Sequence, residues 1–583
     1  MTGHPTFTDH IRSRVAEAPD REALVLLTEH NGELRPQSVS YAELDREAGL
    51  LAAVIRQHVG RGQRVLVLHS SRKLFSISFL ACLYADVVAV PVAPLSGGEH
   101  HDERIAGIFR DAAASCVLTS RTEAPDVTQL LARTGHERVV CLPTDGLSDG
   151  AGAALPPPQA GPDDVAFLQY TSGSTRDPRG VIVTHRSLLA NNEAISQAFA
   201  TSPGSRIGGW LPLHHDMGLI GQLLHALWLG GTAVLLSPVA FVKRPAHWLE
   251  TISRYGLTVS GAPDFAYDWC VRRINDSQLA GLDLAGWRIA VNGGEPVNAA
   301  TVQAFTERFA SAGLRPEAVR PSYGLAESTL LVAGHACGPA EAGRAAQTSA
   351  PEVHELREPD TRGGRARTVV ACGRPAATEV RIVDPDTREP LADGHVGEIW
   401  VRGDSVARGY WGRPKETAET FDGRVKGGEG GYLRTGDLGM LREGLLYVTG
   451  RIKDMIVVAG RNLYPQDLER TVQGANALFG PGTAFAVTAG RERIVVVQEL
   501  RGRGRYDIDL ADLAASVQRR LSEVYEVRAG GVLLVRPGTV RRTTSGKLER
   551  VAMRRLFLSG EITVLHQSVD PEIDELVAQG RRR

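Results

Sequence analysis

The chain has 583 residues, 43% of them hydrophobic, and its 66 Lys and Arg residues nearly balance 67 Asp and Glu residues. That length exceeds what one hydrophobic core can fill, so we expect at least two domains. The net charge of −1 argues against nucleic acid or an anionic membrane surface as the main partner, and the apolar fraction argues against a mostly disordered chain.

Two targeting features are missing from the sequence. No apolar run approaches the roughly 18 residues that a membrane span requires, and the first residues lack the apolar core of a secretory signal. The six cysteines are scattered without a CxxC pair, which is typical of reduced thiols rather than of a disulfide framework or a zinc site. We therefore expect a cytoplasmic protein without stable membrane insertion.

The first third of the chain predicts alternating helices and strands. Ser40 and Glu43 have the spacing of a capping box, and the apolar residues that follow lie on one helical face. A strand over 65–68, a helix over 73–84 and a strand over 87–92 imply a parallel pair with a crossover, hence an α/β core. The same rhythm recurs with strands predicted at 181–183, 257–259 and 289–291.

Irregular segments interrupt this rhythm. Residues 142–163 are rich in Pro, Gly and Ala and predict a surface linker. Residues 338–368 mix Pro, Gly and charged residues without periodicity, which predicts a long irregular insert. Beyond this insert, strands are predicted at 379–383, 397–401, 494–497 and 532–535.

A loop rich in glycine and hydroxyl groups carries the first chemical indication. It contains Thr171, Ser172, Gly173, Ser174 and Thr175 and is followed by a predicted strand. Glycines allow several backbone N–H groups to converge, and the hydroxyls add donors, so the loop suits a polyphosphate. A polar loop of no special function is the alternative, and no GK[ST] follows that would make it a Walker loop.

Seven further segments follow in order along the chain. They are PLHHDMG at 212–218, NGGEP at 292–296, SYGLAE at 322–327, RTGD at 434–437, GRIKD at 450–454, GRN at 460–462 and TSGK at 544–547. Together with the loop they resemble the adenylate-forming superfamily of acyl-CoA synthetases, luciferases and peptide-synthetase adenylation domains. The resemblance implies an α/β fold in which residues 1–452 form a large N-terminal adenylation domain of mixed sheets flanked by helices, with a distorted β-barrel subdomain. Residues 453–583 would form a small, mobile α+β C-terminal domain.

The branch of the superfamily is indicated by several segments. The motif LPLHHDMGLIG, the motif SYGLAESTLLVAG and the insert before Cys372 are similar to fatty acyl-AMP ligases. In that family the insert packs against the large domain and hinders the rearrangement that acyl-CoA synthetases use for thioester formation. His214 stands where the family usually has tyrosine, near the acyl pocket, so the length or polarity of the acyl chain stays open.

The reaction that this resemblance implies brings a carboxylate to the α-phosphate of ATP. Two anions at about 4 Å repel by roughly 1 kcal/mol in water and more in a dry site, so positive charge is needed. By resemblance, Lys547 would enter from the small domain to bridge both groups. Glu327 would bind Mg²⁺ and His215 would act beside the acyl adenylate. As isolated residues, these would more often be a surface lysine, a helix-capping glutamate and a structural histidine.

The resemblance also assigns binding residues. Tyr323 would stack on adenine, Asp437 would accept hydrogen bonds from the ribose, and Arg451 would contact ribose or phosphate. Lys453 would mark the hinge between the domains. Gly293, Gly294 and Glu295 would line the adenine pocket, and Ser322 and Gly324 would also belong to the nucleotide site. The acyl pocket would be lined by His214, His215, Asp216, Met217 and Gly218.

The predicted activity is ATP- and Mg²⁺-dependent conversion of a medium- or long-chain fatty acid to acyl-AMP and pyrophosphate. The acyl group would then pass to the phosphopantetheine arm of an acyl carrier protein, free or within a polyketide or nonribosomal peptide synthase, in lipid or natural-product biosynthesis. Two alternatives stay open: an acyl-CoA synthetase, and a degenerate protein that only binds nucleotide or docks carrier proteins.

Overall fold

The computed structural model describes residues 4–95, 99–137, 139–146, 159–171, 178–335, 353–356, 367–458, 461–501, 509–543 and 546–581. The described chain forms two compact units, which divide between Thr449 and Gly450. This division lies close to the predicted domain boundary at 452/453. None of the described helices has the length and apolar character needed to cross a bilayer.

Two large sheets dominate the first unit. Elements are numbered in chain order. The seven-stranded sheet has the order β13-β12-β11-β9-β10-β1-β2 and is parallel except for β2; the six-stranded sheet has the order β6-β5-β3-β4-β7-β8 and is parallel except for β8. The strands of the first are β1 Glu22–His30, β2 Glu33–Ser40, β9 Arg206–Gly209, β10 Thr232–Leu236, β11 Val259–Ala262, β12 Ile289–Asn292 and β13 Val319–Pro321. Those of the second are β3 Arg64–Leu68, β4 Val88–Val92, β5 Cys116–Thr119, β6 Val140–Pro143, β7 Val165–Tyr170 and β8 Gly180–Thr184.

The helices of the first unit flank these sheets. They are α1 Phe7–Glu17, α2 Tyr41–His58, α3 Arg72–Tyr84, α4 Glu99–Ala112, α5 Ala124–Arg133, α6 His185–Phe199, α7 Asp216–Gly218, α8 His225–Leu229, α9 Pro238–Lys243, α10 Ala246–Tyr255, α11 Asp264–Arg273, α12 Asp276–Leu279, α13 Ala299–Phe309 and α14 Pro414–Phe421. A π-helix, Leu219–Leu224, joins α7 to α8. The predicted capping box of Ser40 and Glu43 is present at the start of α2.

Alternation of side chains along the strands builds the layers. Leu24 and Leu26 of β1 share one core with Val65 and Val67 of β3, and this core also contains apolar residues of α2 and α3. The intervening residues of the two strands pack into separate cores on the outer faces. Because successive side chains of a strand point to opposite faces, the first unit has helices between its two sheets and helices on both outer sides.

Smaller sheets complete the first unit. They have three, two and four strands, and the described strands close no barrel, so the predicted barrel subdomain is seen as separate open sheets. The strands are β14 Tyr323–Gly324, β15 Leu331–Gly334 and β18 Arg374–Pro375; β16 Val353–Leu356 and β17 Arg367–Val370; and β19 Glu379–Val383, β20 Gly397–Arg402, β21 Leu433–Arg442 and β22 Leu445–Arg451. Strand β22 runs across the division between the units.

The second unit is an α+β structure. A four-stranded sheet of order β25-β26-β27-β28 carries apolar cores on both faces. Its elements, with a preceding hairpin, are β23 Ile456–Val458, β24 Arg461–Leu463, α15 Pro465–Gln473, β25 Phe479–Ala489, β26 Arg491–Leu500, α16 Leu510–Tyr525, β27 Ala529–Val535, α17 Arg550–Leu558, β28 Val564–Val569 and α18 Pro571–Gly580.

Three local predictions were wrong. The strand predicted at 181–183 exists, but it pairs antiparallel with β7 rather than continuing the parallel rhythm. The strand predicted at 257–259 exists, but its bounds are shifted to Val259–Ala262. Leu142 and Pro143 belong to β6, and not to the linker; residues 147–158 of that linker lie outside the described residues.

Two further predictions concern the insert and the cysteines. Within the predicted insert, residues 353–356 pair antiparallel with 367–370, and most of the remainder lies outside the described residues. The five cysteines that the structure describes are free thiols.

Candidate active site

The carboxyl ends of parallel strands bring distant motifs together in the first unit. Strand β9 leads into the segment 212–218, and β12 leads into Gly293. Strand β11 lies between β9 and β12, and the backbone N–H of Gly293 donates to the Ala262 carbonyl at its end (3.3 Å). Ligand sites of open α/β sheets lie at this edge, so the sheet order places the predicted acyl and adenine segments side by side.

Met217 and Gly218 show how closely these segments pack. The Met217 Cε lies 3.0 Å from the point where a Cβ on Gly261 of β11 would stand. A Cβ on Gly218 would come within 2.2 Å of the Pro212 carbonyl oxygen, so only glycine fits there. The Asp216 carboxylate accepts a hydrogen bond from the Met217 backbone N–H at 2.7 Å.

The predicted adenine and ribose residues also meet. The Tyr323 hydroxyl donates to the Asp437 carboxylate at 2.7 Å, and both residues are buried. A Cβ on Gly293 would lie 2.6 Å from the Ser322 Oγ, and Gly324 approaches the Leu330 carbonyl so closely that a Cβ would come within 1.9 Å. Close backbone approach of this kind explains why glycine occupies both positions.

Two carboxylates, those of Glu295 and Asp264, accept hydrogen bonds within and around the predicted adenine segment. Glu295 accepts a hydrogen bond from the Phe265 backbone N–H at 2.7 Å. Asp264 accepts from the Asn292 side chain at 3.0 Å and from the Asn298 backbone at 3.1 Å. Burial, with the nearby Glu295 charge, raises the pKa of Asp264 to about 6. Gly294 has a φ of +84°, a conformation that glycine adopts without strain.

Glu327, the predicted magnesium ligand, lies in a short 3₁₀ turn, Ala326–Ser328. Its carboxylate accepts a hydrogen bond from the Tyr410 hydroxyl at 2.9 Å. The described residues contain no group of three or more His, Cys, Asp or Glu side chains able to hold a metal. A single hard carboxylate still fits Mg²⁺, which takes its remaining ligands from phosphates and water.

The phosphate loop is described only at its two ends. The Thr171 backbone N–H donates to the Arg179 carbonyl at 3.4 Å, and Arg104 donates to the Thr171 carbonyl at 3.5 Å. Arg179 lies over the Tyr410 ring and pairs with Glu416 at 3.1 Å. Tyr410 therefore contacts both the end of this loop and Glu327. Ser172, Gly173, Ser174 and Thr175 lie outside the described residues.

Two adjacent histidines precede α7. The rings of His214 and His215 have centroids 4.6 Å apart. The carbonyl of His214 accepts a hydrogen bond from the Gln169 side chain at 2.9 Å. Burial, together with the positive charges of Arg104, His101 and Arg72, lowers the pKa of His214 to about 3, so its imidazole is neutral at physiological pH.

The second unit carries three predicted residues of its own. The half-buried Lys547 sits in a turn where its backbone N–H donates to the Thr543 hydroxyl (3.1 Å) and its carbonyl accepts from the Thr543 N–H (2.8 Å). Its ammonium pairs with no carboxylate that the structure describes. Arg451 ends β22, and the exposed Lys453 lies in the adjoining 3₁₀ turn, Ile452–Asp454.

Four contacting residues were missed by the sequence analysis. Tyr410, Gln169, Asp264 and Arg72 all contact predicted site segments but belong to no motif. The only available indication was position, because Arg72 and Asp264 follow the carboxyl ends of the strands predicted at 65–68 and 257–259. The π-helix that follows His215 also carried no sequence pattern, although such helices often occur at functional sites.

This fold and edge-of-sheet site define an adenylate-forming enzyme, and residues 11–411 match the family described as AMP-binding enzyme. The chain belongs to that family. It is 37% identical over 570 residues to a medium-chain-fatty-acid–[acyl-carrier-protein] ligase, JamA, of Moorena producens, with 96% of each chain covered. It is 38% identical over 554 residues to a 4-hydroxyphenylalkanoate adenylyltransferase of Mycobacterium tuberculosis, covering 91% of this chain and 88% of the relative.

A solved structure agrees with these relatives. The fatty acyl-adenylate ligase from L. pneumophila, in complex with acyl adenylate and pyrophosphate, superposes with a TM-score of 0.73 at 33% identity, covering 97% of this chain and 98% of that one. The predicted resemblance to fatty acyl-AMP ligases is thereby confirmed, as is the mixed α/β fold class.

Proposed function

We propose that this enzyme activates a medium- or long-chain carboxylic acid with ATP, forming acyl-AMP and pyrophosphate, and transfers the acyl group to the phosphopantetheine arm of an acyl carrier protein. The observation that carries the proposal is that the segments 212–218 and 292–296 meet at the end of β11, and that Tyr323 is hydrogen-bonded to Asp437. The names of the relatives, a carrier-protein ligase and an acyl-adenylate ligase, support the same chemistry.

The acyl group and the nucleotide would meet at the end of β11. His215 and the residues to Gly218 would contact the acyl adenylate, and Gly293 to Glu295 with Ser322 and Gly324 would accept the adenine. The Tyr323 hydroxyl fixes the Asp437 carboxylate, whose remaining acceptor capacity suits ribose hydroxyls. These contacts would hold the reacting carboxylate and the α-phosphate in one orientation. The entropy of orienting the two groups would then be lost on binding, and not in the reaction step.

Charge neutralisation is the second requirement. Lys547 would approach the carboxylate and α-phosphate, where its ammonium offsets the mutual repulsion of the two anions. Arg451 would contact the ribose or a phosphate, and Lys453 would absorb the backbone rotation that a mobile C-terminal domain requires. Thr171 to Thr175 would cradle the outgoing phosphates.

Magnesium would be held by Glu327. When bound, it would supply Lewis-acid neutralisation of phosphate oxygens. Glu327 suits this role because a single carboxylate leaves the other coordination positions to phosphate and water. The Tyr410 hydroxyl donates to one of its oxygens and fixes the direction of the carboxylate.

A two-stage assay tests the proposal. Acid-dependent exchange between pyrophosphate and ATP, measured over a series of fatty acids, reports acyl-AMP formation. The loaded enzyme is then offered CoA and a phosphopantetheinylated carrier protein in parallel reactions. We expect exchange with medium- or long-chain acids and transfer to the carrier protein.

Every other outcome contradicts a specific part of the proposed function. Rapid acyl-CoA formation would identify an acyl-CoA synthetase. Absence of exchange with every fatty acid and arylalkanoic acid, in a protein that still binds ATP, would identify a nucleotide-binding or carrier-docking protein without catalysis.

A further inference from the structure

A guanidinium whose Nη1 is buried lies beside the predicted acyl segment, and no acidic side chain in the described part of the chain pairs with it. Arg72 begins α3, directly beyond the carboxyl end of β3 in the six-stranded sheet. Its Nη2 donates to the carbonyls of Trp210 (3.2 Å) and Leu211 (3.1 Å), which follow β9 of the seven-stranded sheet. Arg72 therefore connects the ends of the two sheets at the point where the segment 212–218 begins.

The other terminal nitrogen of Arg72 is left without a partner. Its Nη1 is inaccessible to solvent and makes no hydrogen bond within the described chain. No carboxylate of the described residues pairs with the guanidinium. Burial lowers the pKa of Arg72 to about 9, so the group is still charged near neutral pH. A buried charge without a counter-charge costs several kcal/mol, which an anionic ligand would offset.

A second arginine and a histidine lie near the same segment. Arg104 donates to the Thr171 carbonyl, and His101 contacts the Pro94 carbonyl at 2.9 Å. Arg104, like Arg72, is a positively charged neighbour that lowers the pKa of His214. The Gln169 side-chain N–H donates to the His214 carbonyl, and its buried Oε1 makes no hydrogen bond with the residues that the structure describes. Two side chains that contact the residues from Trp210 to His214 thus each keep one buried atom without a hydrogen bond in the described chain.

We propose that Arg72 is a specificity residue whose Nη1 binds a second oxyanion group on the acyl substrate, so that dicarboxylic acids are preferred over plain fatty acids. This inference rests on the proposed function, since it assumes that the segment 214–218 contacts the acyl chain. A guanidinium presents several donors in a fixed fork that matches a carboxylate. The two hydrogen bonds from Nη2 to backbone carbonyls fix the orientation of the guanidinium, and Nη1 remains available to bind the ligand.

The test compares acids that differ only in the second group. Pyrophosphate exchange is measured with sebacic acid, its monomethyl ester and decanoic acid, and with the corresponding series built on suberic acid. The wild-type enzyme should show a kcat/KM for the diacid about tenfold or more above that of its monomethyl ester, since hydrogen bonds to charged groups are worth about 1.5–3 kcal/mol.

Two variants isolate the guanidinium. Arg72→Leu also removes the two bonds to the Trp210 and Leu211 carbonyls, so some loss with every acid is expected. It should lower kcat/KM for the diacids by about tenfold to a hundredfold more than kcat/KM for decanoic acid, and leave the KM for ATP unchanged. Arg72→Lys should retain part of the preference. Arg64→Leu is the matched control, because Arg64 stands at the opposite end of the same strand and likewise donates to two backbone carbonyls, those of Ala112 and Ala113. This control should leave the acid preference unchanged.

Several results would overturn the proposal. They are a wild-type preference for the monomethyl ester, an unchanged preference in Arg72→Leu, or an equal loss with all acids, which would place Arg72 at the reacting carboxylate. A raised KM for ATP or pyrophosphate with an unchanged acid preference would assign the guanidinium to the polyphosphate instead.

Direct binding separates this proposal from the proposed function. Calorimetric titration of sebacic acid into the wild-type enzyme and Arg72→Leu needs no turnover. Binding that depends on Arg72 without exchange for any acid would retain the oxyanion pocket and reject the activity. Exchange with fatty acids, together with equal binding of sebacic acid to the wild-type enzyme and Arg72→Leu, would retain the activity and reject the oxyanion pocket.

Discussion

The half-buried carboxyl group of Asp264 should make the folding stability of this enzyme depend on pH. Its pKa is raised to about 6 by burial and by the neighbouring Glu295 charge, against about 3.9 for an unperturbed aspartate. The folded state therefore binds a proton more tightly than the unfolded state. The stability contributed by this group is fully present below about pH 4 and is lost as the pH rises through about 6.

The size of the effect follows from the shift. About two pKa units at about 1.4 kcal/mol each give a loss of up to roughly 3 kcal/mol between pH 4 and pH 7. Asp264→Asn removes the charge but keeps an Oδ1 acceptor for the Asn292 side chain and the Asn298 backbone. We expect this variant to be more stable than the wild type by about 1–3 kcal/mol at pH 7.5 and to gain nothing near pH 4.

Urea denaturation at a series of pH values measures the difference between the two proteins. Asp268→Asn is the control, since Asp268 lies on the same helix but makes a partly exposed ion pair with Arg272 (2.8 Å), worth about 1 kcal/mol or less. A stability difference between wild type and Asp264→Asn that stays constant from pH 4 to pH 7.5, or a destabilised variant at pH 7.5, would refute the reasoning.

Three further substitutions test the site. Lys547→Ala should reduce pyrophosphate exchange by about 10²–10³-fold while calorimetric ATP binding is retained, whereas the exposed Lys426→Ala should change neither; undiminished exchange would remove the role proposed for Lys547. Tyr323→Phe should raise the KM for ATP by about tenfold, because Asp437 loses a buried hydrogen bond, and a double-mutant cycle with Asp437→Asn should show coupling; strictly additive effects would contradict that link. Glu327→Gln should raise the Mg²⁺ concentration needed for half-maximal exchange, since a neutral amide binds the cation less well. The exposed Glu419→Gln is its control, and equal Mg²⁺ requirements in both would count against Glu327.

Much of the fold and site could be predicted because the relevant information is local. The capping box at Ser40 and the apolar strands β3 and β12 depend on neighbours within a few residues, and the structure has them. The order of the motifs identified the family, and sheet order then placed Gly293 beside the end of β11. The resemblance could predict that these motifs belong to one site, because members of a family share a topology.

Other features depend on contacts between distant segments. The direction of β8 is set by its short connection to β7, which leaves no room for a parallel crossover of about a dozen residues. The bounds of β11 are set by its pairing with β9 and β12, which begins at Val259. Neither follows from hydrophobic periodicity, which reports burial but not strand direction.

The sequence by itself was enough to identify the segments that carry the predicted chemistry, and their order. Each segment consists of consecutive residues whose types suit the binding of a phosphate, a nucleotide or a carboxylate. Only the tertiary structure decided which isolated residues join them. Tyr410 meets Glu327 across 83 positions, and Arg72 meets the Trp210 and Leu211 carbonyls across more than 130. Such contacts are fixed by the packing of two sheets around shared helices, and hydrogen bonds and desolvation act over a few ångströms in space rather than along the chain.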